Sequence, residues 1–217
     1  MNMDSYNNIY RDIANRTQGD IYIGVVGPVR TGKSTFIKKF MDMVVIPRMD
    51  NDFKRSRAMD ELPQSAAGRT IMTTEPKFIP NEAVEISIGD SAQFKVRMID
   101  CVGYIVDGAR GYIEDEMPRM VMSPWSDEPI PFAEAAETGT RKVIAEHSTV
   151  GIVITTDGSI TDIPRSDYVD AEERVIRELT ELNKPFVVVI NCVDPNAPQT
   201  QEYCMALHKK FGVCVTA

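Results

Sequence analysis

The stretch GVVGPVRTGKST, Gly24 to Thr35, holds the residue types and spacing from which chemistry can be argued first. Within it, Gly27 through Ser34 fits GxxxxGK[ST] at every fixed position. The glycines let backbone N–H groups turn inward around phosphate oxygens, and the helix that follows adds its positive end. Lys33 is placed to reach the β- and γ-phosphates of a nucleoside triphosphate, and the Ser34 hydroxyl to ligate Mg²⁺. The expected nucleotide contacts are therefore Gly27, Arg30, Thr31, Gly32, Lys33, Ser34 and Thr35. The Arg30 guanidinium either lies beside the phosphates or points into solvent.

Three further segments complete the constellation. Asp100 ends an alternating apolar run and begins DCVG, so Asp100 and Gly103 stand as DxxG. A carboxylate there holds Mg²⁺, and the Gly103 N–H senses the γ-phosphate. GRTIMTTEP supplies Thr70, Thr73 and Thr74 between the phosphate loop and Asp100. In phosphate-loop switches, a mobile loop at this place gives a threonine hydroxyl to Mg²⁺ and its backbone to the γ-phosphate. VINCVDP then puts Asn191 and Asp194 where guanine-specific sites carry Asn-Lys-x-Asp, but with Cys192 instead of lysine. Tyr104 follows the DxxG where many switch GTPases place a water-orienting glutamine. The expected catalytic set is Lys33, Thr73, Thr74 and Asp100, and the expected metal ligands are Ser34, Thr73 and Asp100.

These groups need a frame that delivers them to one place. DIYIGVVG, STVGIVITTDG and KPFVVVIN are nearly continuous apolar runs, the pattern of strands buried on both faces. VEISI (84–88) and FKVRMID (94–100) alternate, and GDSAQ between them is too short for a parallel crossover. They are expected to form an antiparallel hairpin. STFIKKFMDMVVI, FAEAAETGTRKVIAEH, RSDYVDAEERVIRELTEL and TQEYCMALHKKFG have helical character, and VCVTA begins one more strand. Residues 48–80 and 101–131 read as two long irregular segments, the second containing Pro118, Pro124, Pro129 and Pro131.

The alternation of strand and helix predicts an α/β, three-layer phosphate-loop NTPase with a mostly parallel sheet and one antiparallel hairpin strand. Ligands in such sheets sit beyond the carboxyl ends of the strands. Tyr6, Ile9 or Tyr10, and Ile13 predict a short amphipathic helix, so residues 1–19 are expected as an N-terminal helical extension and 20–217 as the NTPase domain. Ala217 falls where a strand should lead into a loop, and the chain is expected to be a piece of a longer protein.

Composition narrows the function classes. The 217 residues are 43% hydrophobic and 26% charged, ordinary for a globular protein, and the net charge of −8 argues against nucleic-acid binding. KRSR, Lys54 to Arg57, reads as a solvated loop. Cys101, Cys192, Cys204 and Cys214 have no CxxC spacing, and with His147 and His208 they read as structural. No signal segment is visible at the start, and no apolar run approaches the ~18 residues of a membrane span. A cytoplasmic location is expected.

Taken together, GDIYIGVVGPVRTGKSTFIKKFM, DELPQSAAGRTIMTTEPKFIP, IDCVGY, DEPIPF and EHSTVGIVITTDGSI resemble the stage IV sporulation protein A family, the coat morphogenetic ATPases of endospore-forming bacteria. The resemblance runs from about Asp20 to Ala217. It implies the translation-factor branch of phosphate-loop NTPases, with hydrolysis of ATP rather than GTP. It implies that hydrolysis drives a conformational change needed to polymerise on the forespore surface, in the mother-cell cytoplasm. It further implies a small amphipathic membrane-binding peptide and coat assembly proteins as partners. The family's phosphate-loop lysine falls on Lys33, its Mg²⁺ aspartate on Asp100, and its γ-phosphate-sensing threonines on Thr73 and Thr74.

Asn191 and Asp194 keep alive a GTP-binding switch of the translation-factor class. A metabolic kinase is disfavoured, because no arginine-rich lid follows the core. A nucleotide-stabilised structural module without turnover is the remaining alternative.

Overall fold

Neighbouring residues of the central strands feed opposite sides of the sheet, so each strand is apolar along its whole length. Val25, Met98 and Ile154 face one core while Val26, Ile99 and Val153 face the other. In the computed structural model, which describes residues 20–49, 51–63, 75–88 and 92–217, these runs are β1 (Asp20–Val26), β3 (Ala92–Asp100) and β8 (Val150–Thr156). β2 (Lys77–Ile88), β9 (Phe186–Asn191) and β10 (Val215–Thr216) complete a six-stranded sheet in the order β10-β9-β8-β1-β3-β2. Only β2 runs antiparallel; its pairing with β3 shifts register between Ile79 and Val84. The mostly parallel sheet with one antiparallel hairpin strand is the expected architecture.

Helix α1 (Lys33–Phe40) continues through a π turn (Met41–Val45) and a 3-10 turn (Ile46–Arg48). It lays Ile37, Met41 and Val45 on the first core. Helix α2 (Asp52–Asp60) covers the same face with Ala58. The opposite face is covered by α4 (Val169–Glu181), through Val175, Ile176 and Leu179, and by α5 (Pro198–Phe211), through Cys204 and Leu207. Helix α3 (Phe132–Lys142) leads into a π turn whose Val143 and Ile144 join that second core. Pro198 opens α5 and Gly212, at φ 68°, closes it, which is the usual asymmetry of helix ends.

Two segments differ from the sequence reading. Residues 48–80 are not one loop: α2 stands inside them, and β2 begins at Lys77 rather than Val84. Asn51 Oδ1 caps α2, accepting from the Phe53 and Lys54 N–H groups at 3.0 Å each. The KRSR run lies on this helix, with Lys54 and Arg57 exposed, so it is a solvated helix face rather than a loop. Residues 101–131 contain two ribbons, β4 (Ile113–Glu114) with β5 (Met117–Pro118) and β6 (Met120–Ser123) with β7 (Ser126–Pro131). A two-stranded ribbon leaves one edge of each strand unpaired, so prolines are tolerated there.

The predicted helix before residue 20 lies outside the described residues. Among those described, Cys101 and Cys204 are buried while Cys192 is half-buried and Cys214 exposed. No helix among them is long and apolar enough to cross a membrane.

Candidate functional site

The parallel strands β1, β3, β8 and β9 end at one edge of the sheet, where the phosphate loop, Asp100, Gly103 and Asn191 lie. β1 delivers the chain into the phosphate loop, and Gly32 caps α1 in a left-handed conformation, φ 91°. A Cβ at Gly32 would lie 2.4 Å from Asn191 Nδ2, so glycine is required on both grounds. The loop is braced from inside: Thr31 Oγ1 and Lys33 Nζ both donate to the Pro28 carbonyl, at 3.0 and 2.6 Å. Arg30 holds a left-handed backbone, φ 65°. Its charge is felt at the Tyr168 phenol, whose pKa burial pushes up and whose bond to Thr161 and neighbour Arg30 pull back. Thr35 faces solvent.

β3 ends at Asp100, directly across from α1. Ser34 Oγ donates to Asp100 Oδ2 at 2.6 Å. Asp100 Oδ1 is buried with no hydrogen-bond partner among the described residues. Burial pushes the Asp100 carboxyl up, while the Ser34 bond and the Lys33 charge pull it back. Burial likewise lowers the Lys33 ammonium, against the nearby Cys101 and Asp100. A lysine and an aspartate desolvated side by side, with one carboxylate oxygen unpaired, make a site that favours additional charged ligands of both signs.

The residues after Asp100 are laced to the phosphate loop. Tyr104 N–H donates to the Gly27 carbonyl at 3.3 Å, and Val29 N–H to the Tyr104 carbonyl at 2.9 Å. Gly103, φ 96°, is pressed so close that a Cβ there would lie 2.5 Å from Lys33 Nζ. Its N–H donates to the buried Thr140 Oγ1 on α3 at 3.1 Å. Sequence reasoning missed Thr140, and no spacing signal in AETGTRK points to it. Cys101, read from the sequence as structural, is buried beside Thr140, and burial pushes its thiol up to about 11.

At the end of β9, Asn191 Nδ2 donates to the Thr31 carbonyl at 3.0 Å. Asp194 is exposed, and its Oδ1 accepts the Asn196 N–H at 2.9 Å in a local turn. The two residues are thus brought to different tasks, one on the phosphate loop and one in its own turn. Thr70, Thr73 and Thr74 lie outside the described residues.

The sequence matches the family described as Stage IV sporulation protein A, ATPase domain, over residues 3–217. The chain belongs to the stage IV sporulation protein A family. The model it matches is that of the family's ATPase domain. Relatives of that name from Bacillus anthracis and Bacillus subtilis are each 61% identical over 209 residues, which is 96% of this chain and 42% of theirs. The chain therefore spans about two fifths of the length of these relatives. Among solved structures, a dimerization-deficient mutant of Toc33 from Arabidopsis thaliana is 10% identical with a TM-score of 0.46, covering 98% of this chain and 75% of that one.

Proposed function

We propose that residues 20–217 form a phosphate-loop ATPase domain, preceded by an extension at 1–19, and that ATP hydrolysis drives self-assembly of a spore coat basement layer. The observation that carries the reading is the Ser34–Asp100 pair, closed at 2.6 Å beside the buried Lys33, with Asp100 Oδ1 left without a partner among the described residues. That donor set, one hydroxyl and one carboxylate with a free oxygen, suits a hard divalent cation that keeps several waters. Ser34, Asp100 and Thr73 would hold Mg²⁺. When bound, it supplies positive charge against the phosphate oxygens.

The chain's own groups supply the rest. Lys33 leaves the Pro28 carbonyl to pair with phosphate oxygens. The loop N–H groups of Gly27 and of Arg30 to Thr35 orient the triphosphate, and Thr73 and Thr74 act at its γ-phosphate. Fixed dipoles and charges aimed where charge develops are the main catalytic resource in phosphoryl transfer. ATP is favoured over GTP because the Asp194 carboxylate is committed to the Asn196 N–H and no lysine follows Asn191.

By family membership, the longer protein would work in the mother-cell cytoplasm on the forespore outer membrane. Its partners would be copies of itself, a small amphipathic membrane-binding peptide and coat assembly proteins. Phosphate release from ATP and GTP, measured side by side with Mg²⁺, tests the core of the proposal. Turnover of ATP with little from GTP is expected. A kcat/KM for GTP equal to or above that for ATP would overturn it in favour of a GTP switch.

A further inference from the structure

An amide has one proton to give, and the Gly103 N–H gives it to Thr140 Oγ1 at 3.1 Å. The acceptor belongs to a fully buried side chain on α3, a helix whose Ala135 and Ala136 likewise have no exposure. The Thr140 hydroxyl proton is directed at Cys101 Sγ, 3.8 Å away. Gly103 also lies against the phosphate loop, where an added Cβ would fall 2.5 Å from Lys33 Nζ and 2.3 Å from the Gly27 carbonyl. Gly103 therefore has two neighbours that bear on its N–H: the threonine oxygen from α3 that now accepts it, and the Lys33 ammonium beside its Cα, which draws anions.

We propose that Thr140 is a positioning residue that competes with the γ-phosphate for the Gly103 N–H, so that α3 reads a bound triphosphate through the loss of this hydrogen bond. The inference rests on the phosphate-loop role given under the proposed function and on the γ-phosphate contact expected of the Gly103 N–H from the DxxG spacing. A diphosphate has no γ-oxygen to offer and leaves the Thr140 bond intact. A triphosphate must displace it. The competition lowers affinity for ATP specifically, and a ligand shifts an equilibrium only through such differential contacts. Thr140→Val removes the acceptor while keeping the shape. The Gly103 N–H is then unpaired until the γ-phosphate arrives, a costly state for a buried amide.

Titration calorimetry with Mg²⁺ and either a non-hydrolysable ATP analogue or ADP provides the test, on wild type, Thr140→Val and Thr140→Ser. Thr140→Val is expected to raise the preference for the ATP analogue over ADP by roughly two- to tenfold, the size of one neutral hydrogen bond. Thr140→Ser keeps the acceptor and should hold the wild-type ratio. An unmoved or lowered ratio in Thr140→Val overturns the proposal. If that variant does not fold, the γ-methyl NMR resonance of Thr140 in the wild-type protein decides. It should shift with the ATP analogue and not with ADP, and equal responses to both overturn the inference. Lys33→Ala separates the two readings. Binding that ignores Lys33→Ala fails the phosphate-loop assignment itself, whereas Lys33-dependent binding with an unmoved Thr140→Val ratio fails only the competition.

Discussion

The Tyr104 hydroxyl donates to Glu178 Oε2 at 2.5 Å, on helix α4, while the Tyr104 backbone is bonded to Gly27 and Val29 in the phosphate loop. The Arg174 guanidinium lies 4.1 Å over the same ring and bonds both Glu178 and Glu137. The residue at the position of a water-orienting glutamine is thereby spent on holding the loop against α4 and α3. Burial first, and then the Glu178 carboxylate, push the Tyr104 phenol far above its ordinary pKa, so it is neither a base nor an anion near neutrality.

Tyr104→Phe should therefore act on stability more than on chemistry. Losing one hydrogen bond to a charged group costs about 1.5–3 kcal/mol, reduced here because Glu178 keeps Arg174. The expected outcome is a lower melting temperature with kcat within roughly threefold of wild type, since only a group acting in the transition state moves kcat strongly. A kcat loss of two orders of magnitude at an unchanged melting temperature would place the hydroxyl in the reaction.

Lys33→Ala removes the ammonium that sits buried beside Asp100 and Gly103. A hydrogen bond to a charged group is worth about 1.5–3 kcal/mol, so nucleotide affinity should fall roughly ten- to a hundredfold. Circular dichroism should stay native-like. Unchanged affinity for labelled ATP is the result that would sink the phosphate-loop assignment.

Away from the site, Glu172 is 1% exposed and accepts from Arg165 Nη2 at 2.7 Å, from Thr155 Oγ1 at 2.5 Å and from the Tyr203 hydroxyl. Glu172→Ala would strip three donors at once, one of them a cation whose Nη1 is already buried without a partner among the described residues. Removing one member of such a pair costs ~3 kcal/mol, placed at the low end because Arg165 retains some solvent contact. For a chain of this size that is a melting-point drop of roughly 6–12 °C. Glu172→Gln, which keeps an acceptor, should lose less. Equal melting temperatures for wild type and Glu172→Ala would show that the network contributes nothing.

The sheet was legible because two-sided burial writes itself as continuous apolar runs, and the β2–β3 hairpin because a five-residue link admits no crossover. Helix α2 was not, because its signal is the Asn51 cap and only Ala58 is buried, so no apolar stripe marks it. The ribbons of residues 113–131 were masked by prolines that an unpaired edge tolerates. In the site, the contiguous phosphate loop and DxxG were readable, since their spacing is the geometry. Thr140 was not: it meets Gly103 across 37 residues, and nothing in a helix sequence announces which hydroxyl will face a distant amide. Nor did the sequence show that the Asn191 side chain reaches 160 residues back to the Thr31 carbonyl.

That last contact separates two residues that the sequence paired. Asn191 Nδ2 holds the Thr31 carbonyl, so Asn191→Ala should loosen the phosphate loop and weaken ATP and GTP by the same factor. One neutral hydrogen bond, about 0.5–1.5 kcal/mol, corresponds to roughly a two- to tenfold loss for each nucleotide. Asp194 is exposed and bonded to the Asn196 N–H within its own Asp-Pro turn, so Asp194→Ala should leave the ATP-to-GTP preference unchanged. A guanine-reading carboxylate behaves otherwise: a site built to pair a polar edge rejects the analogue lacking it by ~10⁴-fold, and loses that discrimination when the partner is removed. Competition binding of ATP against GTP, on wild type and both variants, checks the two expectations together. If Asp194→Ala shifts the preference by more than about threefold, the turn opens toward the base on binding, and the guanine clamp survives despite Cys192.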